Sequence, residues 1–365
     1  MGRWRRSWTG SPGGTWTPTR RWRRSSRRWG SRRAERSGGM RVVFCGRWNR
    51  HSSAYPETRE LWRVREAVDR GRASPHDLRQ AADAATALLL SQLERLGLDT
   101  GSNGGLRWDS LYDVARRIGG CSGFTRLIRI PETNHFHRQP VATLPLRWEG
   151  PILLDDLAFA RAHTRLPVAM TLPGPYSLAR QTENYSVVGL ERLTEAYAAV
   201  LRQEIASLLE GGAAFVKVDD PQMLMHPEDA PTIRTAAEIL TQGLDRSRIG
   251  LSTWFEDVSV FPEYFALPFG LFFLNLVGNG KTAAAARRLP PDRAVALGIV
   301  DAYQTYEEQP EELSERVRSV ASHRSGSSAV VTTNTDLSYL PWERALEKLG
   351  VLVAWARRAQ REEQQ

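Results

Sequence analysis

Apolar runs and amphipathic segments alternate along most of the chain after Met40. Six short, almost continuously apolar runs follow one another at helix-length intervals, at residues 168–172, 214–218, 249–252, 271–274, 294–300 and 329–332. Runs of this kind are typical of parallel strands that are covered on both faces. Together with a run at 41–44, they approach the eight strands of a (β/α)8 barrel. The pattern therefore predicts an α/β fold built as one barrel domain.

Two helices are predicted with defined ends. Ser74 can cap a helix that continues through 81–96 and stops at Gly97, a residue suited to the left-handed conformation that ends helices. The second helix ends at Gly211 and has one apolar face, which is formed by Leu190, Leu193, Tyr197, Leu201 and Leu208.

Each apolar run ends on polar or conformationally special residues. Among them are Asp219 and Asp220, Trp254, Asn275, Asp301 and Asp336. The carboxyl ends of parallel strands meet at one mouth of a barrel, where the active site lies. A small-molecule site is therefore predicted at this mouth. At any single position, the capping of a loop explains the residue equally well.

The positive charge of the chain is concentrated in residues 1–39. The whole chain has a net charge of +9, whereas this segment contains 12 Arg and one acid, Glu35, so that the remainder is slightly negative. The segment also has five Trp but no Lys, Ile, Leu, Val or Phe, and a disordered basic tail is therefore predicted.

Three interpretations of this tail remain open. It could be a nucleic-acid-binding arm, a transit peptide, or translated sequence upstream of the native start. We favour the third, because Met40 directly precedes the first predicted strand. Nucleic-acid binding is consequently not expected.

The cysteines and the hydropathy pattern indicate in which cellular compartment the protein is expected. Cys45 and Cys121 form no disulfide framework and no CxxC motif, and both are expected to lie far from the strand ends. No apolar run reaches 18 residues, so no membrane span is expected. A cytoplasmic protein is predicted.

Six stretches of the chain form an ordered series of motifs. They are Asn-Gly-Gly-Leu-Arg-Trp at 103–108, Glu-Thr-Asn-His-Phe-His-Arg-Gln-Pro at 132–140, Thr-Leu-Pro-Gly-Pro-Tyr-Ser at 171–177, Val-Lys-Val-Asp-Asp-Pro at 216–221, Gly-Ile-Val-Asp at 298–301 and Asn-Thr-Asp-Leu-Ser-Tyr-Leu-Pro at 334–341. Their order and spacing resemble the C-terminal catalytic barrel of cobalamin-independent methionine synthases, and more closely the short single-barrel relatives in archaea and bacteria. The resemblance implies a barrel over 40–358, followed by a polar C-terminal tail at 359–365.

The resemblance implies methyl transfer, but the metal site of the family departs from its pattern here. The family methylates the thiol of homocysteine and uses zinc, bound by a His-x-Cys pair, a Glu and a distant Cys, to hold the sulfur as thiolate. These ligand positions fall on Ser252, Trp254, Asn275 and Thr335. None of these side chains suits a thiolate-rich zinc site, and His135 and His137 alone do not replace it. No metal and no other cofactor is therefore expected.

The remaining polar residues of the series are candidates for chemistry. Asp219, Asp301 and Tyr303 are predicted to be catalytic, and Tyr303 lies where the family has a proposed proton-carrying histidine. Because adjacent strand residues point to opposite faces, one of Asp219 and Asp220 is expected to face the mouth and the other to support a loop. The predicted substrate-binding residues are Arg107, Trp108, Asn134, Tyr176, Asp220, Trp254 and Asp336. For Arg107, an ion pair with a carboxylate is an equally good interpretation.

Three functions remain open. The first is a methyltransferase resembling 5-methyltetrahydropteroyltriglutamate–homocysteine S-methyltransferase, which acts on a small molecule and takes its methyl group from a partner protein or another donor. The second is a diverged, zinc-independent enzyme with acid–base carboxylates, similar to a decarboxylase or lyase. The third is a non-catalytic, ligand-binding or structural paralogue, which a filled barrel mouth without a pocket near Asp219 would indicate. We favour the first as the family assignment and the second as the chemistry.

Overall fold

The computed structural model describes residues 40–362, except 51, 53, 131, 132, 134, 187, 255 and 322–329. The predicted tail at 1–39, the end of the chain at 363–365 and the substrate-binding candidate Asn134 lie outside the described residues.

Of the eleven strands in the described residues, eight are parallel and form a closed barrel. The strands are β1 (Arg41–Val42), β2 (Gly101–Ser102), β3 (Ile118–Arg129), β4 (Phe136–Trp148), β5 (Val168–Pro173), β6 (Glu183–Asn184), β7 (Val216–Asp219), β8 (Ile249–Ser252), β9 (Leu271–Asn275), β10 (Ala294–Val300) and β11 (Val330–Thr333). One sheet has the order β1, β11, β10, β9, β8, β7, β5, β2. Parallel bridges from Val43 to Thr100 and from Arg47 to Gly104 join its two edges. The predicted barrel is confirmed.

Helices connect the strands and share one hydrophobic core with them. They are α1 (Pro56–Asp69), α2 (Pro75–Leu96), α3 (Leu154–Ala162), α4 (Pro175–Arg180), α5 (Leu190–Glu210), α6 (Gln222–Met225), α7 (Ala230–Thr241), α8 (Gly280–Ala285), α9 (Pro310–Ala321) and α10 (Trp342–Glu362). Helix α10 extends four residues beyond the predicted end of the domain at 358. None of the helices described here is long and apolar enough to cross a bilayer.

Helix α2 has the two ends that the sequence predicts. The Ser74 hydroxyl accepts a hydrogen bond from the Asp77 amide at 3.2 Å, and the Asp77 carboxylate accepts one from the Ser74 amide at 2.8 Å. At the other end, Gly97 has a φ of 81°, which an L side chain rarely adopts.

The two reciprocal hydrogen bonds between Ser74 and Asp77 form a capping box, which predicts a measurable loss of stability in Ser74→Ala. We expect the free energy of unfolding to fall by about 1 kcal/mol, because the Asp77 amide loses its acceptor. Urea unfolding of the two proteins measures the difference, and equal midpoints would contradict the role of Ser74.

An antiparallel hairpin interrupts the barrel, and the sequence pattern did not predict it. Strands β3 and β4 pair with three register shifts, and β6 adds a short parallel strand to β4. These irregularities explain why no clean two-residue alternation is visible in the sequence. His135 and Phe136, at the start of β4, lie at the barrel mouth, where both line a cavity.

Candidate active site

A buried lysine lies inside the barrel beneath its mouth. Lys217 and Asp219 are two residues apart in β7, so their side chains share the inner face of the strand. The Lys217 Nζ atom is 3.1 Å from Asp219 Oδ1 and 3.7 Å from Asp336 Oδ1, and all three side chains are at most 3% exposed. The Lys217 ammonium thus interacts with the carboxylates of both Asp219 and Asp336. Lys217, Asp219 and Asp336 are called the floor cluster below.

Burial and mutual attraction set the charges of the floor cluster. Loss of water raises the pKa of Asp219 to about 7, although the Lys217 ammonium and the Trp254 indole both act in the opposite direction. Burial alone would lower the pKa of Lys217, but Asp219 and Asp336 raise it above its ordinary value, so the amine stays charged. Asp219 is therefore a carboxyl group that can gain or lose a proton near neutral pH.

The raised pKa of Asp219 predicts a specific dependence of stability on pH. An Asp side chain titrates near about 4 in an unfolded chain, whereas the pKa of Asp219 in the fold is about 7. The stabilisation from its protonated form is complete below the unfolded value and is lost as the pH rises through the folded value. Between pH 5 and pH 8, we expect the wild type to lose more unfolding free energy than Asp219→Asn, measured by urea denaturation. If the unfolding free energies of the two proteins changed in parallel with pH, the raised pKa of Asp219 would be contradicted.

Asp336 connects the floor cluster to a cavity in the mouth. Its Oδ1 atom accepts the Arg47 amide at 3.0 Å. Gly46 permits this approach, because a Cβ atom there would lie 2.5 Å from the same oxygen. Asp336 and Trp254 both line a cavity of about 380 Å³, whereas Lys217 and Asp219 lie beneath it. Asp336 is thus the member of the floor cluster that a ligand can touch.

The cavity combines aromatic rings with guanidinium groups. Its lining includes Arg47, Arg50, Asp109, His135, Phe136 and Tyr339. The His135 ring stacks on Tyr339 with a centroid separation of 4.6 Å. Burial, followed by the charge of Arg47, lowers the pKa of His135, so this imidazole is neutral at pH 7. The cavity can therefore hold a small, partly flat molecule.

Trp254 separates Asp219 from the cavity in a strained conformation. Its φ of 57° is the only positive value among the described non-glycine residues. Its indole also contributes to lowering the pKa of the Asp219 carboxyl group. Backbone strain of this kind is concentrated at functional sites. Trp254 therefore lies at the cavity, and its part in substrate binding stays a prediction.

Asp220 points away from Asp219 and supports the loop that begins α4. Its carboxylate accepts hydrogen bonds from the Ser177 amide at 2.6 Å and the Tyr176 amide at 3.3 Å. Only a glycine fits at position 174, because a Cβ atom there would come within 2.1 Å of this carboxylate. Burial raises the pKa of Asp220 to about 6 despite these hydrogen bonds. Asp220 is therefore the acid of the pair that supports a loop, and Asp219 is the one on the inner face of the barrel.

Three predicted substrate-binding side chains are held by other protein groups. Arg107 donates to Asp83 at 2.5 Å and to Asp156 at 2.7 Å, and the Trp108 indole donates to Asp156 at 2.6 Å. The Tyr176 hydroxyl donates to Asp229 at 2.7 Å. None of the three lines the cavity above Asp336. The contacts favour the ion-pair interpretation of Arg107 and structural roles for the other two.

Asp301 and Tyr303 form a turn beside the mouth. The Asp301 carboxylate accepts the Tyr303 amide at 2.8 Å, and the Asp301 amide donates to Glu308 at 2.7 Å. The Tyr303 ring lies against Tyr339, with centroids 4.8 Å apart. Burial raises the pKa of Tyr303 far above its usual range, so its phenol stays protonated. Their contacts connect both residues to the mouth through the turn rather than through the cavity lining.

Three of the positions that the resemblance implied as zinc ligands, Ser252, Asn275 and Thr335, have contacts within the protein. Ser252 pairs with Asp219 across the sheet, the Asn275 side chain accepts the Val277 amide, and the Thr335 carbonyl accepts the Thr333 hydroxyl. Within the described part of the chain, no group of three or more His, Cys, Asp or Glu side chains is arranged to hold a metal ion.

Cys45 was expected far from the strand ends, and this expectation was wrong. It follows β1 and lies in the barrel interior, with Sγ 3.3 Å from Thr171 Oγ1. Burial raises the pKa of this thiol to about 12, so it remains protonated at neutral pH. It therefore lacks the thiolate character that nucleophilic attack or metal binding requires.

Sequence reasoning missed Lys217, Arg47 and Arg50. A signal was present for Lys217, because it is the only charged side chain within the six apolar runs between 168 and 332 and stands two residues before Asp219. Arg47 and Arg50 follow the first strand, where barrel enzymes place functional residues. Their partner Asp109 is about sixty positions away in the sequence, so their shared contact became visible only in the fold.

The fold and the site together define a class, the α/β barrels that bind small molecules at the carboxyl ends of their strands. Residues 134–325, more than half of the chain, match the family model described as cobalamin-independent synthase, N-terminal domain. The chain therefore belongs to the cobalamin-independent methionine synthase family, as its motifs predicted. The matching model describes the N-terminal domain of that family, whereas the motifs were compared with the C-terminal barrel.

Curated relatives and solved structures agree with this family. The chain is 24% identical to a methionine synthase of Thermococcus kodakarensis over 82% of this chain and 89% of that protein. For a methionine synthase of Pyrococcus furiosus, the identity is 24% and the coverages are 85% and 91%. The fold is similar to a B12-independent methionine synthase from a Shewanella species in complex with selenomethionine, with a TM-score of 0.71, 17% identity and coverages of 80% and 91%.

Proposed function

We propose that this protein transfers a methyl group to a small thiol bound at the barrel mouth, without zinc. Family membership supports the reaction class, and the curated relatives are named methionine synthases. Transfer without zinc is supported by the floor cluster, in which a charged ammonium lies between Asp219 and Asp336. A protein cation thus occupies the negatively charged region of the mouth.

The residues at the four family ligand positions do not fit zinc. They offer two hydroxyl groups, an indole and an amide, whereas a thiol-activating zinc site needs imidazole, carboxylate or thiolate ligands. Ser252 is the register partner of Asp219 in the neighbouring strand, and Asp219 is already paired with Lys217. No step of the proposed reaction is assigned to a metal.

Asp336 is the proposed general base. The proton of the acceptor thiol moves to the Asp336 carboxylate while the sulfur forms its bond to the methyl group. The bond between the methyl group and its donor breaks, and its electron pair stays with the donor. Lys217 and Asp219 lie behind Asp336, with the Lys217 Nζ atom 3.7 Å from its Oδ1 atom, while Trp254 closes the floor of the cavity. Asp301 and Tyr303 are assigned a supporting role through the turn that packs on Tyr339.

An acid–base enzyme of the decarboxylase or lyase kind is the second candidate. The observation in its favour is the same floor cluster, because Asp219 can exchange a proton near neutral pH. The purely structural paralogue is less well supported, since the mouth contains a cavity rather than being filled. A methyl-donor protein and a cytoplasmic location stay predictions.

A methyl-transfer assay tests the proposal. The full chain is incubated with homocysteine and, separately, with 5-methyltetrahydrofolate or methylcobalamin, and methionine is measured by mass spectrometry. We expect methionine from at least one donor at a rate above that of the protein-free control. No methionine from either donor would contradict methyl transfer and leave the acid–base candidate.

A further inference from the structure

We infer that Arg47 and Arg50 form a binding site for the carboxylate of a ligand whose flat ring lies against the aromatic side chains of the cavity. This inference rests on the proposed function, because it names the chemical class of one substrate of that transfer. Both arginines line the cavity of about 380 Å³ that Asp336 of the floor cluster also lines.

The two arginines are only partly neutralised by the protein. The Arg50 guanidinium contacts Asp109 Oδ1 at 2.6 Å, and Arg65 of helix α1 contacts the same oxygen. Arg47 donates to the carbonyl oxygens of Trp108 and Asp109, both at 2.9 Å, and neither acceptor carries a charge. Two guanidinium groups therefore share the carboxylate of Asp109, and among the described residues the Arg47 guanidinium is paired with carbonyl oxygens only.

This excess of positive charge lies in a poorly hydrated place. The side chains of Arg50 and Arg65 are only 12% and 17% exposed. Burial lowers the pKa of Arg50 to about 10, and the neighbouring Arg65 and Arg47 lower it further while Asp109 opposes them. Guanidinium groups in this state gain from an incoming anion, and their planar shape suits a carboxylate.

The aromatic part of the cavity determines the rest of the ligand. Phe136 lines the cavity and is 60% exposed, which leaves its ring available for contact. Tyr339 and His135 form a stacked pair beside it. A planar ring can stack here while its carboxylate reaches Arg47 or Arg50.

Calorimetric titration of the full chain with benzoate and with benzamide tests the inference. The two probes share ring and size, but only benzoate is charged. We expect benzoate to bind more tightly than benzamide, and its affinity to fall with added sodium chloride. Arg47→Gln and Arg50→Gln should each weaken benzoate binding by about tenfold or more, because a charge-assisted hydrogen bond is lost, and should leave benzamide binding unchanged. The matched control is Arg63→Gln, an exposed arginine of α1 that pairs with Glu60.

The outcomes separate this inference from the proposed function. Equal binding of the two probes, absence of benzoate binding, or an equal effect of Arg63→Gln would overturn the carboxylate site. Thermal unfolding of each variant shows whether weaker binding reflects lost folding. Arginine-dependent benzoate binding together with absent methyl transfer would support the site and contradict the proposed reaction. Methyl transfer without arginine-dependent benzoate binding would support the proposed reaction and contradict the carboxylate site.

Discussion

Lys217→Met is expected to destabilise the protein by about 3–5 kcal/mol, because removing one partner of a buried ion pair leaves the other charge uncompensated. Here two carboxylates, Asp219 and Asp336, would lose their common ammonium. The loss should be smaller at pH 5.5 than at pH 8, since Asp219 can become neutral by binding a proton. Urea unfolding at the two pH values measures both effects.

The lysine at position 281 provides the control for this prediction. Lys281 is exposed in helix α8, and Lys281→Met should leave stability nearly unchanged. The double variant Lys217→Met/Asp219→Asn should recover part of the loss, because one uncompensated carboxylate is removed. If Lys217→Met and Lys281→Met had equal effects, the floor cluster would have no energetic role.

Asp336→Asn is expected to lower the rate of methyl transfer about a hundredfold or more, in line with the usual contribution of a general base. An amide keeps the size of the side chain and can still accept the Arg47 amide, but it cannot take a proton from a thiol. The effect should appear mainly in kcat and only slightly in KM. Steady-state kinetics with homocysteine and the active donor measure the two constants.

Asp155→Asn is the matched control for Asp336→Asn. Asp155 is 84% exposed and is paired only loosely, with Arg79 at 3.6 Å. It should retain wild-type rates. An unchanged kcat in Asp336→Asn would exclude this carboxylate as the base, and a lowered melting temperature would show that the substitution disturbs the fold instead.

The barrel could be predicted because its signals are local. Each of the six apolar runs overlaps an observed strand, and the bounds at 249–252 and 294–300 are the same in sequence and structure. Ser74 and Gly97 mark the ends of α2 by their own conformational preferences. Continuous apolar character and helix caps are properties of neighbouring residues, so sequence is enough to find them.

The site was predicted only in part because its contacts join distant residues. Lys217 and Asp336 meet across more than a hundred positions, and Arg50 meets Asp109 only after the barrel closes. The resemblance of motifs indicated Asp219, Trp254 and Asp336 but directed attention away from Lys217. For Arg107, the motif pointed to substrate binding, whereas in the fold its guanidinium forms ion pairs with Asp83 and Asp156.

Zinc content measured together with chelator sensitivity tests the central claim most directly. The full chain is purified without added metal, its zinc is quantified by inductively coupled plasma mass spectrometry, and methyl transfer is measured before and after treatment with a chelator. We predict far less than one zinc per chain and equal rates before and after chelation, because Lys217 supplies the positive charge beside Asp219 and Asp336. One zinc per chain, with activity lost on its removal and restored on its return, would contradict the account.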